Sequence, residues 1–173
     1  MIEYRNALSD ETNKIKTLLW EHGPNQWNHL TEKGVDDELS LIRSDSAVAA
    51  VAVYKSEIIG FSILIDGNES PDYLKKYCSI DEMCFISDVV VSSHFSGKGI
   101  ATQLLKNCIE EAKNRSFSIV LIERHEQNLA SAGMMRKAGF SIIDTFYDPD
   151  KRTSGSRNSV ILEVNISQEN RGV

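Results

Sequence analysis

In the run VVVSSHFSGKGIATQLL, residues 89–105, Gly97 and Gly99 stand in a polar loop between a β-branched stretch and an apolar-periodic one. A loop that opens a helix in this way leaves backbone N–H groups unpaired beside the positive end of the helix dipole, an arrangement suited to a phosphate. The glycines admit backbone conformations and a close approach that a Cβ would hinder. A dinucleotide-binding (Rossmann) turn matches Gly97-Lys98-Gly99 and finds Glu123 at the end of the next strand. Against it, Thr102 occupies the third glycine position, and five residues separate Val91 from Gly97. A Walker A loop needs G-x-x-x-x-G-K-[ST], a spacing this sequence lacks. A strand–helix connection that holds no ligand is the plain alternative. His22, His29, His94 and His125 show no metal-ligand spacing, and no metal is expected.

The surrounding elements must position that loop. Ile2–Arg5 reads as a short strand, and Ser9-Asp10-Glu11 as a cap-like start to a helix through about Glu21, with Ile15, Leu18 and Leu19 turned inward. Gly23-Pro24 breaks it, and a shorter helix is expected from about Val35 to Ile42. AVAAVAVYKSEIIGFSILIDG gives two strands around a turn at Lys55–Glu57. One helical turn at Tyr73–Tyr77 precedes a strand at Cys84–Val91. After the glycine loop, Ile100, Ala101, Leu104, Leu105, Cys108, Ile109 and Ala112 share one helical face. FSIVLIE (117–123) is the next strand, and Leu129–Lys137 a helix with Gly139 at its C-cap. FSIIDTFYD and SVILEVNI close the chain as strands, joined by PDKRTSGSRN, and the tail SQENRGV should fray. The pattern is mixed α/β, one sheet with helices packed on it.

The bulk properties fit one domain of 173 residues with an ordinary 41% hydrophobic and 25% charged content. A net charge of −6 argues against a nucleic-acid surface. Cys78, Cys84 and Cys108 form no C-x-x-C pair, and an odd number suits a reduced, cytoplasmic compartment. Charges from the third residue onward argue against a signal peptide, and no apolar run approaches the roughly 20 residues that span a bilayer. Neither a membrane nor a nucleic acid is an expected partner.

Ser96-Gly97-Lys98-Gly99-Ile100-Ala101, following the strand ISDVVV, resembles the Q/R-x-x-G-x-G/A signature of the GNAT (GCN5-related) N-acetyltransferase superfamily. NLASAGMMRKAGF, residues 128–140, is similar to its second motif, N-x-x-A-x-x-x-Y-x-x-x-G-F: Asn128, Gly139 and Phe140 match, and Ser131 stands in for the alanine. The two lie in the right order across about residues 84–140. The resemblance implies a mostly antiparallel central sheet with a splayed parallel strand pair and flanking helices. It implies acetyl-CoA as cofactor and transfer of the acetyl group to a primary amine, small molecule or peptide, by direct attack through a tetrahedral intermediate. A non-catalytic acyl-CoA-binding module of the same fold is the alternative, and homodimers are common in the family. The cofactor pyrophosphate would meet the backbone of Ser96, Gly97, Lys98, Gly99, Ile100, Ala101 and Thr102. The pantetheine arm would run along Val89, Val90 and Val91, with the Val89 N–H as oxyanion donor, and Asn128 and Met135 would reach it from the next helix.

Two positions depart from the pattern. Ser96 stands where the family has Arg or Gln, which removes a charge-assisted phosphate contact. Met135 stands where a tyrosine protonates the leaving thiolate, and methionine cannot donate a proton. Either the thiolate leaves unassisted, as a thiol pKa of about 8.5 allows, or a group such as Tyr147 replaces the tyrosine. The attacking amine must be neutral, so a base is needed. The position that some family members fill with a carboxylate is Ser87 here. Glu123, five residues before Asn128 as in the N-terminal acetyltransferases of ribosomal proteins, is the first candidate, unless it only pairs with Arg124 or Arg136. Asp88 is the second; strand alternation sets it on the opposite face from Ser87 and Val89. His125 is the third. EHGPNQWNHLTEKGVDDE (21–38) and YDPDKRTSGSR (147–157) are expected to line the acceptor cleft. Trp20, Trp27 and Tyr73 would suit an apolar acceptor there, and Asp36, Asp37 and Glu38 a cationic one.

Overall fold

A computed structural model describes residues 1–167. Of the tail SQENRGV only Ser167 falls among them, so the expected fraying lies outside the described residues. Among the described residues seven strands, β1 (Glu3–Asn6), β2 (Ala47–Tyr54), β3 (Glu57–Asp66), β4 (Met83–Val91), β5 (Ile119–His125), β6 (Ser141–Tyr147) and β7 (Asn158–Asn165), form one sheet in the order β1-β2-β3-β4-β5-β7-β6. Every neighbouring pair is antiparallel except β4 and β5. Four helices, α1 (Thr12–His22), α2 (Glu32–Arg43), α3 (Ile100–Asn114) and α4 (Leu129–Lys137), cover its two faces.

The β2–β3 hairpin closes on Lys55 and Ser56, whose φ of 48° and 66° are those a tight two-residue turn demands, here without a glycine. On one face, Leu104, Leu105 and Cys108 of α3 and Met135 of α4 pack on Ile86, Ile122 and Leu162. On the other, Ile15 and Leu19 of α1 and Leu39 of α2 pack on Val51, Phe61 and Ile63. A third cluster, centred on Leu74, Phe85 and Leu121, lies beneath the 3-10 turn of Asp72–Lys76.

Two helix starts differ from expectation. Ser9 does not cap; Ser9–Glu11 is a 3-10 turn, and the Glu11 carboxylate accepts the Leu8 N–H at 2.8 Å. Helix α2 begins at Glu32 instead of Val35, because the Thr31 hydroxyl caps it by accepting from Gly34 N–H at 3.0 Å. Its first three residues, Glu32, Lys33 and Gly34, carry no apolar side chain, so hydrophobic periodicity alone could not reveal them.

Glu11 also ties β1 to α1. Arg5 donates two hydrogen bonds to it, at 2.8 and 2.9 Å, and these hold its carboxyl down at about 2. A lowered native value means stability that is present above the ordinary carboxylate range and lost as pH falls through the native value. Glu11→Gln is therefore expected to destabilise by about 2 kcal/mol at neutral pH. That gap between the two urea unfolding curves should close toward pH 2, near the native value.

The feature that shapes the site lies in β4. Leu64 pairs with Ile86 and Ile63 with Asp88, which leaves Ser87 as an extra residue, a bulge. A bulge bends its strand and increases its twist. Parallel pairing with β5 covers Met83–Ile86 against Ile119–Ile122 and stops there, while β5 continues against β7 to His125. Beyond Ile86 the two strands diverge and leave a wedge in the sheet.

Candidate active site

A cavity of about 80 Å³ fills the wedge, lined among others by Ile86, Asp88, Val89, Arg124, Met134 and Met135. Ser92 N–H donates to Ile59 C=O at 2.8 Å, toward β3. Backbone groups alternate along a strand. The Val90 and Asp88 amides therefore turn toward β3, and those of Val89 and Val91 turn into the wedge, where β5 no longer pairs. The side chains of Val89 and Val91 pack on the α3 side, and Val90 is buried on the α1–α2 side.

The glycine loop adjoins this free edge. Gly97 and Gly99 have φ of 76° and 75°, and a Cβ at either would meet nothing within 4 Å. The demand for glycine is thus conformational, with space left over the backbone. Gly99 is the N-cap of α3 without any side-chain cap, so the first amides of that helix, Ile100, Ala101 and Thr102, have no intrahelical acceptor. A groove of about 540 Å³ runs over them toward Leu129 and Gly133 of α4, and Met134 lines both groove and wedge. Ser96 turns its hydroxyl back to the Ser93 carbonyl at 3.0 Å, and the Lys98 ammonium sits 5.9 Å from the centre of the Phe95 ring. Asn128 caps α4, accepting Ser131 N–H at 3.2 Å, and Met135 is buried in the core that α4 shares with α3.

Glu123 is bound to different partners than expected. Its carboxylate, 3% exposed, accepts from the Tyr73 hydroxyl at 2.7 Å, from Arg152 at 2.9 Å and from the Lys151 ammonium. Neither Arg124 nor Arg136 pairs with it. Arg152 is locked in turn: it donates to Ser159 Oγ at 2.8 Å, and that hydroxyl donates to Asp148 at 2.8 Å. Burial, and then the charge of Glu123, push the Tyr73 phenol up, so it stays a neutral donor. Three donors occupy about three of the four acceptor sites of the Glu123 carboxylate, two on Oε2 and one on Oε1, so its charge is already committed to this network. His125 is fully buried; Nδ1 accepts Gln127 N–H at 2.9 Å, so Nε2 donates to the Ser154 carbonyl at 2.8 Å. Its ring lies 4.5 Å from that of Trp27, and the pair holds up the β6–β7 loop. Tyr147 is 65% exposed at the end of β6 and does not line the wedge.

The bulge corrects half of the expectation for Asp88, which lies opposite Val89 but not opposite Ser87. It interrupts the alternation, so Ser87 and Asp88 both reach α2 from the same side. Ser87 Oγ donates to Glu38 Oε1 at 2.7 Å, and the Asp88 carboxyl hydrogen-bonds the same carboxyl. Burial first, then the charge and hydrogen bond of Glu38, push Asp88 well above the usual carboxylate range, against an opposing pull from Lys151. Two carboxyls in such contact favour sharing one proton. Glu38 was legible only as one of three acidic residues. Its neighbours are solvated: Asp36 pairs with Lys16 and Asp37 with Lys33, each at 2.7 Å. A second cavity, about 210 Å³, opens beyond the wedge; Asn28, Ser87, Asp88 and Glu123 line both. Trp20 lines neither.

A family model described as the acetyltransferase (GNAT) family matches residues 12–140. The chain belongs to this family. The GNAT fold is the one observed, with a mostly antiparallel sheet and one parallel pair that splays, and it excludes the doubly wound Rossmann alternative. Among curated proteins the chain is 33% identical over 73 residues to the uncharacterized N-acetyltransferase YobR of Bacillus subtilis (strain 168). That match covers 42% of this chain and only 30% of the relative's length. An N-acetyltransferase from Staphylococcus aureus Mu50 superposes with a TM-score of 0.75 at 18% identity, over 96% of this chain and 99% of that one. A GNAT family acetyltransferase from Elizabethkingia anophelis, with acetyl-CoA bound, superposes at 0.70 and 22% identity, over 95% and 97%. At these identities the GNAT likeness is one of fold.

Proposed function

We propose that this chain transfers an acetyl group from acetyl-CoA to a primary amine. The observation that carries the reading is the continuity of the wedge, with its free Val89 and Val91 amides, and the groove over the uncapped start of α3. The amides from Gly97 to Thr102 would hold the pyrophosphate, and the Lys98 ammonium would add charge beside it. Val89 and Val91 would pair with the pantetheine arm as an added strand, and the Val89 N–H would face the thioester carbonyl oxygen. Acetyl-CoA, the ligand of the Elizabethkingia relative, supplies the activated acetyl group. The amine would enter through the second cavity, where Asp88, coupled to Glu38, takes its proton. Glu123 is then a positioning residue, holding Lys151 and Arg152 against that cavity and tying Tyr73 to them. The whole chain acts as one domain in this reading, and three free cysteines suit a reducing cytoplasm. Among the described residues no helix is long and apolar enough to cross a membrane.

Calorimetry with acetyl-CoA, NAD and ATP tests the first half of the reading. Micromolar binding of acetyl-CoA alone is expected, followed by thiol release when a panel of small amines and peptide N-termini is added. Binding of NAD or ATP instead, or of none, would overturn the reading. Acetyl-CoA binding without thiol release from any amine would favour a non-catalytic module.

A further inference from the structure

Arg124 follows Glu123 on β5 and so projects to the opposite face, into the wedge. It is 8% exposed. One terminal nitrogen donates to the carbonyls of His125 and Glu126, at 3.1 and 2.9 Å. Its Nε, fully enclosed, has no partner among the described residues. A guanidinium buried with an unused donor carries a desolvation penalty, offset only in part by the charge of Glu126. Burial pushes its pKa down accordingly.

Arg124 is the one cation among the described residues that line the wedge. Its neighbours on the α4 side are Met134 and Met135, whose thioethers have no proton to give, Ser131, whose hydroxyl is a weak acid, and Asn128, whose oxygen is engaged in capping. We propose that Arg124 is a catalytic residue that stabilises the sulfur of coenzyme A as it leaves. The inference rests on the acetyltransferase reading above. In the transfer, the amine nitrogen bonds the acetyl carbon, the carbon–sulfur bond breaks, and its electron pair goes to sulfur. The nitrogen's proton goes to the Asp88–Glu38 pair. The sulfur therefore departs as an anion beside an α4 wall that offers it no acid stronger than the Ser131 hydroxyl, and beside one desolvated cation. Such a cation acts more strongly there than in water, and it is in place before the charge develops.

The test is an ultraviolet titration of the thiol of coenzyme A bound to the full chain, in wild type and in Arg124→Met and Arg124→Lys. In wild type the bound thiol should ionise about tenfold more readily than free coenzyme A, a shift of about one pH unit. Arg124→Met should erase the shift with little change in coenzyme A affinity, and Arg124→Lys should keep part of it. Turnover in Arg124→Met should fall by about 10- to 100-fold at unchanged KM for acetyl-CoA. Should the methionine variant not fold, the lysine variant and the wild-type titration still decide the matter. Bound coenzyme A that titrates like the free thiol would overturn the proposal while leaving the acetyltransferase reading intact. So would a raised KM at unchanged kcat, which would make Arg124 a pantetheine contact. Failure of wild type to bind coenzyme A would instead sink the acetyltransferase reading, and this proposal with it.

Discussion

Glu123→Ala is expected to destabilise the protein by about 3–5 kcal/mol, and to lose activity chiefly through loss of structure. The Glu123 side chain is 3% exposed and that of Arg152 is 5% exposed, so removing the carboxylate strands a buried guanidinium. The same change releases Lys151 and the Tyr73 hydroxyl, which tie the β6–β7 loop and the Asp72–Lys76 turn to the sheet. Attraction between buried charges roughly cancels their desolvation, so losing both is far milder than losing one. The double variant Glu123→Gln/Arg152→Met should therefore recover most of the stability that Glu123→Ala loses. Urea unfolding of the single and double variants measures the coupling directly. A Glu123→Ala protein as stable as wild type, but a hundredfold slower, would show that Glu123 does chemistry and would displace Asp88 as the base.

Asp88→Asn should lower kcat by about 10²- to 10³-fold while preserving the fold and acetyl-CoA binding, the effect of removing a general base. Its pH behaviour separates chemistry from stability. The native value of Asp88 is raised, by burial and then by Glu38. A raised value means that its favourable contribution is complete below the ordinary carboxylate range and is lost as pH rises through the native value. Asp88→Asn should therefore be more stable than wild type at pH 8 and gain nothing at pH 4. Glu38→Gln removes the neighbouring charge, lowers the Asp88 value, and should move the acidic limb of kcat/KM to lower pH. An unchanged limb would sever Asp88 from the rate.

The parts of the site that a sequence can show are those governed by local rules. Helix α3 was legible because its apolar face repeats with the helical period, and the loop because Gly97 and Gly99 need positive φ. Glu123 was legible as a carboxylate ending an apolar strand, but its partners were not. Tyr73 lies 50 residues away and Lys151 lies 28, both in polar segments with no periodicity to place them. Glu38 could have been found from helix phase, since it sits between Val35 and Leu39, the two buried residues of α2. Alternation with Ile122 could put Arg124 on the α3 face, yet no pattern of residues reveals an unused Nε donor. The bulge at Ser87 left no trace at all, because register depends on which residue faces which across β3 and β4.

That bulge ties two properties to one count of residues. The same unpaired residue ends the pairing with β5 and brings Ser87 and Asp88 to the same side. Over generations the site can therefore drift in composition more easily than in length. A substitution at Ser87 forfeits one hydrogen bond to Glu38. Loss of the residue itself would restore strict alternation with Asp88 still on the α2 side, next after Ile86, and let β4 run on beside β5. The cleft would close in one step, leaving a more regular sheet with the two carboxyls shut beneath it.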